Sequence, residues 1–477
     1  MLFNSIEYAL FLPLVFIIYW SFNKSYKIQN MLLIFFSYLF YAFWDWRFLS
    51  LIIISTLTDY YIGKKIFTSQ KEKRRKLLLW TSITINLSIL FTFKYLNFFI
   101  DELKFVFSKI GVQTDLSTLN IILPIGISFY TFQTLSYTID IYRKKIKPTN
   151  NFIVFSAFVC YFPQLVAGPI ERAKRLIPQF NNKRRFDLKN SNIGLFQIIW
   201  GLFKKVVVAD NCALIVNEIF LTETDQSGIV ILIGTLLFSF QIYCDFSGYS
   251  DIAIGTSKLF GIRLSKNFSS PYFSRNISEF WKNWHISLSS WFRDYIYIPL
   301  GGSRNGKIIT TRNIIIVFCL SGVWHGAEWS FILWGGIHAI LIIIHKQLSF
   351  TTNQYFNTST FAILSTTCTF TSVTLAWIPF RAIDLNHAID CYSNLFSTSL
   401  FTIPHQIIHH PTIPTVLFFI LTLLTLEFLY NHWTTKRKES PWNFPIVIKW
   451  CFFYGILATM YFFGNLGENI EFLYFQF

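Results

Sequence analysis

Charged side chains are scarce in this sequence: only 14% of its 477 residues are Asp, Glu, Lys or Arg, against roughly 25% in soluble globular chains. The missing charge leaves long uncharged runs at Ala9–Phe22, Leu77–Phe93, Asn151–Gly168, Ile229–Cys244, Thr360–Phe380, Pro414–Leu426 and Trp450–Gly464. A bilayer core about 30 Å thick takes about 20 apolar residues as a helix, and packed multi-span proteins tolerate shorter or broken segments. Roughly eleven or twelve candidate spans meet that criterion. No soluble domain of useful size is left over. The expected fold is all-α and polytopic, with re-entrant and interfacial helices around a central core.

Other absences narrow the chemistry. The seven cysteines show no C-x-x-C spacing and most lie inside apolar runs, so they read as small buried hydrophobes rather than a disulfide set or a zinc site. No G-x-S-x-G elbow offers a serine nucleophile. Met1–Phe22 carries Glu7 in place of a basic cluster, with no small-x-small site after it, so it is expected to be a retained span rather than a signal peptide. Gly301–Lys307 nearly matches a phosphate-binding loop, but Ile308 stands where Ser or Thr belongs and no buried strand precedes it. A Gly-rich turn with snorkelling basic residues is the simpler reading. His405, His409 and His410 have metal-like spacing, yet Pro404 and Pro411 crowd them and no carboxylate is near in sequence. They read as a loop, and no metal site is expected. There is no internal repeat and no low-complexity linker.

What is present is a formal net charge of +16, gathered in short loops: Lys64, Lys65 and Lys71–Lys76, then Arg143–Lys147, Arg172–Arg185 and Lys436–Lys438. This is the bias of cytoplasmic loops, not of a nucleic-acid surface. Acidic residues occupy alternate gaps, at Asp101, Glu102 and Asp115, at Glu218, Glu223 and Asp225, and at Glu468 and Glu471. Both termini then fall outside the cytoplasm. Two stretches break the alternation. Asn151–Gly168 lies between two basic stretches, so a single crossing is excluded; a segment that enters and returns, or one that pairs with a hidden second leg, is expected, with breaks at Pro163, Gly168 and Pro169. Asp245–Arg312 is rich in basic residues and belongs on the cytoplasmic side. Within it, Asn276 followed by Glu279 signals a helix start. Ile277, Phe280, Trp281, Trp284, Leu288, Trp291, Phe292 and Tyr295 share one face of an expected interfacial helix over Asn276–Tyr295.

Two of the nine histidines stand out. His325, with Glu328 close by, sits in the apolar run from Asn313 to His345, where an ionisable group costs several kcal/mol unless partnered or facing water. Gly322 and Gly326 let backbone or substrate approach it closely. A histidine tying two helices together is the plainer alternative. His285, at the edge of the aromatic face, is weaker by itself, and His338, beside Gly336 and Ala339, is expected to pack.

Longer motifs go further. Asp245-Phe-Ser-Gly-Tyr-Ser-Asp251, Ile277-Ser-Glu-Phe-Trp-Lys-Asn-Trp-His-Ile-Ser-Leu-Ser289 and Trp291-Phe-Arg-Asp-Tyr-Ile-Tyr-Ile-Pro-Leu-Gly-Gly302 resemble the membrane-bound O-acyltransferase superfamily, nearest its alginate- and peptidoglycan-acetylating branch. Leu123–Gln133, Gly201–Val206, Val323–Gly326 and Trp377–Ala382 add to the likeness, which loosens from Arg381 onward. The resemblance implies one membrane-embedded domain over residues 1–477, with its catalytic core at 120–345 and the cytoplasmic-side segment at 245–312. It places the catalytic histidine on His325 and a second motif histidine on His285. Trp284, Ser287, Trp324 and Arg293 are then the expected substrate contacts. It implies a bacterial inner-membrane enzyme with no tightly held cofactor, taking acetyl from acetyl-CoA or an acidic acyl carrier. The acceptor is an extracytoplasmic polysaccharide, reached through a partner acetyltransferase. His325, kept neutral by burial, is expected to be the general base, with His285 holding the donor or its developing oxyanion. D-alanyl transfer to teichoic acid stays open as an alternative. A transporter or flippase without covalent chemistry is the competing class, and it predicts inverted repeats that the sequence lacks.

Overall fold

A computed structural model describes residues 1–112, 117–119, 121–166, 168–221, 226–349, 359–437, 446–465 and 472–473. Asp115, Glu223, Asp225, Lys438, Glu468 and Glu471 lie outside the described residues. Among those described, the secondary structure is helical throughout, with no strand. Among the described residues, seven helices are long and apolar enough to cross a membrane: Tyr26–Thr68, Glu72–Lys94, Gly228–Leu259, Gly306–His325, Trp329–Leu348, Thr360–Arg381 and Ile413–His432. The larger expected number counted shorter runs as well. Ile6–Ser21 has only 16 residues, and Asn151–Gly168 breaks into the nine-residue helix Phe152–Cys160 and the four-residue helix Phe162–Leu165. Nine residues rise only about 14 Å, so neither helix is long enough to cross a bilayer by itself.

The chain divides into two compact units. The first comprises residues 1–195 and 253–265. Its buried Asp59 and Arg184 are both paired, as a low-dielectric interior requires. Asp59 in the Leu49–Thr68 helix accepts from the Ser82 hydroxyl at 2.6 Å and the Asn86 amide at 2.9 Å. Arg184 donates to the Tyr19 hydroxyl and to the Asn30 amide oxygen, each at 2.7 Å.

The second unit comprises residues 196–252 and 266–477. Two of its helices, Gly306–His325 and Trp329–Ser349, form a hairpin whose closeness depends on glycine. A Cβ at Gly322 would stand 2.3 Å from the Phe331 carbonyl oxygen, and one at Gly335 would stand 2.3 Å from that of Phe318. The turn before this hairpin, at Gly301, Gly302 and Gly306, has φ values of 104°, 59° and 89°, which glycine adopts at little cost. It is the Gly-rich turn expected there.

The single helix expected over Asn276–Tyr295 needs correction. The stretch forms two helices of seven residues each, Ile277–Asn283 and Ile286–Phe292, broken at His285, whose φ of 41° and ψ of 54° are left-handed. The start signal holds: Asn276 Oδ1 accepts the Glu279 N–H at 2.9 Å, and Glu279 accepts the Arg275 N–H at 2.8 Å. The aromatic face turns inward, with Phe280, Trp284, Leu288, Trp291 and Phe292 all buried.

Candidate active site

His325 ends the Gly306–His325 helix and is buried. Its ring lies 4.8 Å from Trp324, 5.0 Å from Trp334 and 5.2 Å from Phe380, each near-perpendicular or steeply tilted. Gly326 is required by this packing, because a Cβ there would meet the Phe331 ring at 2.0 Å. What approaches the glycines beside His325 is therefore the next helix of the hairpin. Glu328 sits exposed in the turn between the two helices.

His285 joins the same aromatic group. Its ring is 5.9 Å from Trp324 and 4.6 Å from Phe246. One tryptophan thus touches both histidines. A second path runs from Trp284 to Trp377 at 5.0 Å, from Trp377 to Trp334 at 5.8 Å, and on to His325. Burial pushes the His285 imidazole down to about 3 from 6.5, because a low-dielectric interior disfavours the charged form. His285 is neutral at physiological pH.

The remaining expected contacts fall unevenly. Trp284 and Trp324 line the aromatic group, and Ser287 is buried one residue into the Ile286–Phe292 helix. Arg293 stands apart, exposed and paired with Asp294 at 2.8 Å. His338 packs among Trp281 and Trp334, each 5.0 Å away, as expected. His410 lies 3.2 Å from the Glu218 carboxylate and 2.9 Å from the Thr412 hydroxyl, partners the sequence spacing did not suggest.

Several groups escaped the sequence reading. Lys204 and Lys205 are buried on a π-helical turn, Phe203–Ala209, a local unwinding frequent at functional sites. Lys204 pairs with Asp251 and donates to the Ser247 hydroxyl at 2.9 Å. Lys205 is placed between Asp210 at 2.8 Å and Asp245 at 2.7 Å. A usable signal was present: lysines within an apolar stretch must find carboxylates, and Asp245 and Asp251 bracket one of the quoted motifs. Asp245 also accepts the Leu473 N–H at 2.7 Å, and Phe472 packs 4.3 Å from Tyr249. This part of the C-terminal tail is therefore anchored beside Phe246, the residue against which His285 rests. No sequence pattern predicted that contact. Asn267, which binds His285, was missed as well.

A buried pair of imidazoles sharing an aromatic wall suits proton transfer in a site from which water is largely excluded. Comparison with known proteins identifies the family. The chain is 42% identical over 392 residues to the "Probable alginate O-acetylase AlgI" of Pseudomonas putida, covering 81% of this chain and 78% of that one. It is 38% identical over 408 residues to the peptidoglycan O-acetyltransferase of Helicobacter pylori, covering 80% and 76%. To the teichoic acid D-alanyltransferase of Bacillus subtilis it is 29% identical over 244 residues, covering 48% and 60%. Residues 38–378 match the sequence model of MBOAT, the membrane-bound O-acyltransferase family, and the chain is a multi-pass membrane acyltransferase belonging to that family.

Proposed function

We propose that this acyltransferase moves acetyl groups from a cytoplasmic thioester toward an extracytoplasmic polysaccharide, handing them to a partner acetyltransferase on the far side. The observation that carries the reading is the pair His285 and His325, buried on one shared tryptophan inside an apolar helix group. His325 takes the proton of an acceptor hydroxyl as its oxygen attacks the thioester carbonyl. The carbon–sulfur bond then breaks, and the same imidazole returns the proton to the departing sulfur, giving an ester and a free thiol. Positioned acid–base catalysis of this kind supplies about 10²–10⁴ in rate. His285 holds the donor, while Trp284, Ser287 and Trp324 shape the slot around it and Arg293 attracts its phosphate or the acidic face of a carrier. The whole chain acts as one membrane-embedded unit, with its core at 120–345 and the basic segment 245–312 facing the cytoplasm. Both termini lie outside.

Acetyl is favoured over D-alanyl because the two O-acetylating relatives match more of the chain at higher identity than the D-alanyltransferase does. The test uses purified protein in nanodiscs with acetyl-CoA and a polysaccharide or partner acceptor, following free thiol and ester together. Equal release of thiol and formation of ester is expected. Movement of substrate with no thioester cleavage would overturn the reading in favour of transport. Turnover only with a D-alanyl carrier protein would assign the other branch.

A further inference from the structure

Asn267 is fully buried and belongs to no helix. It reaches the break between the two short helices with both of its oxygens. Its main-chain carbonyl accepts the Ile286 N–H at 2.9 Å. Its side-chain Oδ1 accepts the Ser287 N–H at 3.3 Å and the Ser287 hydroxyl at 2.9 Å. A backbone N–H can only donate, so the side-chain atom facing it is the amide oxygen, and the orientation of the Asn267 amide is thereby fixed. On the other side, Nδ2 donates to the Ser250 hydroxyl at 3.2 Å. His285 Nδ1 lies 3.1 Å from that same Oδ1. An amide oxygen has no proton to give, so Nδ1 carries the hydrogen and the lone pair of the neutral ring sits on Nε2.

We infer that Asn267 is a positioning residue of the acyl-transfer site, locking His285 in its Nδ1–H tautomer so that Nε2 meets substrate as a hydrogen-bond acceptor. The inference rests on the proposed part of His285 in acyl transfer and narrows it. A ring held this way cannot donate to a developing oxyanion. It instead takes an O–H or N–H group, such as the attacking hydroxyl or an amide along a thioester's arm. The backbone supports a purpose beyond helix capping: a left-handed residue with a side chain costs about 1–3 kcal/mol, and glycine at 285 would avoid that strain, yet histidine stands there with φ 41°. The strain turns the ring onto Asn267, and Asn267 then decides which nitrogen is basic.

The test is two-bond ¹H–¹⁵N correlation spectroscopy on the full chain with ¹⁵N-labelled histidine in nanodiscs. The His285 signals are identified by their loss in His285→Gln, and acetyl transfer is measured alongside. The wild type should show the Nδ1–H pattern. Asn267→Asp keeps an acceptor facing Nδ1 and should keep both the pattern and a rate within about threefold, whereas Asn267→Leu should mix the tautomers and lower kcat about 10²-fold. A rise in KM for the thioester or for the acceptor locates the group that Nε2 binds. An Nε2–H pattern in the wild type would overturn the inference, and so would an Asn267→Leu protein with unchanged pattern and rate. If Asn267→Leu does not fold, the wild-type and Asn267→Asp spectra decide. The underlying reading fails differently: wild-type transfer by His285→Gln, with the Nδ1–H pattern intact in the wild type, would reduce Asn267 to a brace.

Discussion

His325 and His285 rest on the same tryptophan but are held in unlike ways. Three rings line His325: Trp324 and Trp334 from a hairpin of long apolar helices whose glycines allow contact between backbones, and Phe380 from outside it. His285 is held by polar atoms at a strained break between two short helices, with an amide from 18 residues earlier fixing one face of its ring. An aromatic wall sets position and dryness without choosing a protonation state. An amide clamp chooses the tautomer. The difference teaches that packing can fix where a buried histidine sits, whereas a hydrogen bond can also fix which of its nitrogens carries the proton.

Trp324 is the element that the two histidines share. Trp324→Ala removes a buried ring touching both histidines, and loss of a buried Trp costs about 3–5 kcal/mol. Thermal unfolding in detergent should drop further than for Gly326→Ala, His285→Gln or Arg293→Ala, and acyl transfer should fall with it. Gly326→Ala separates the two regions. The new Cβ forces Phe331 aside, at about 1–3 kcal/mol for overpacking; transfer should fall as His325 shifts, while the His285 spectrum stays as in the wild type. Loss of both would show that the regions are one packed body.

A pH titration sharpens the other half. The folded value of His285, about 3, lies below the ordinary 6.5, so between those values the unfolded chain binds a proton that the folded protein does not. Its contribution to stability is intact above the upper value and is lost as pH falls toward the lower one, amounting to about 2 kcal/mol near pH 5. His285→Gln should flatten that slope in denaturant unfolding measured from pH 7 to 5. An unchanged slope would show that His285 is not buried neutral. The smallest effect belongs to Arg293→Ala. Exposed ion pairs contribute about 0–1 kcal/mol, so stability should hold, and the proposed donor contact predicts a several-fold rise in KM for acetyl-CoA with kcat unchanged.

Much of this was legible in the sequence, and the gaps have physical causes. Uncharged runs reveal helices because lipid and protein interior reject charge alike, but the same likeness inflates the number of spans: Phe152–Cys160 is as apolar as a crossing helix and too short to be one. His325 stood out because an ionisable residue in an apolar run has few harmless explanations. Its glycines were read correctly as sites of close approach, though not which group approaches. The break at His285 was invisible, since apolar positions keep helical spacing straight through it and what stabilises the break is Asn267, distant in sequence and without a periodic signature. Lys205 with Asp210 and Asp245 is a similar case. The residues were in view, but their pairing depends on how helices cross.

In the proposed mechanism the imidazole of His325 performs the acyl transfer. Purified wild type and His325→Ala, both verified as folded by thermal unfolding, are given radiolabelled acetyl-CoA and acceptor, and label in the ester product is counted. A fall of at least about 10²-fold in the variant is predicted; label transferred at the wild-type rate would contradict it.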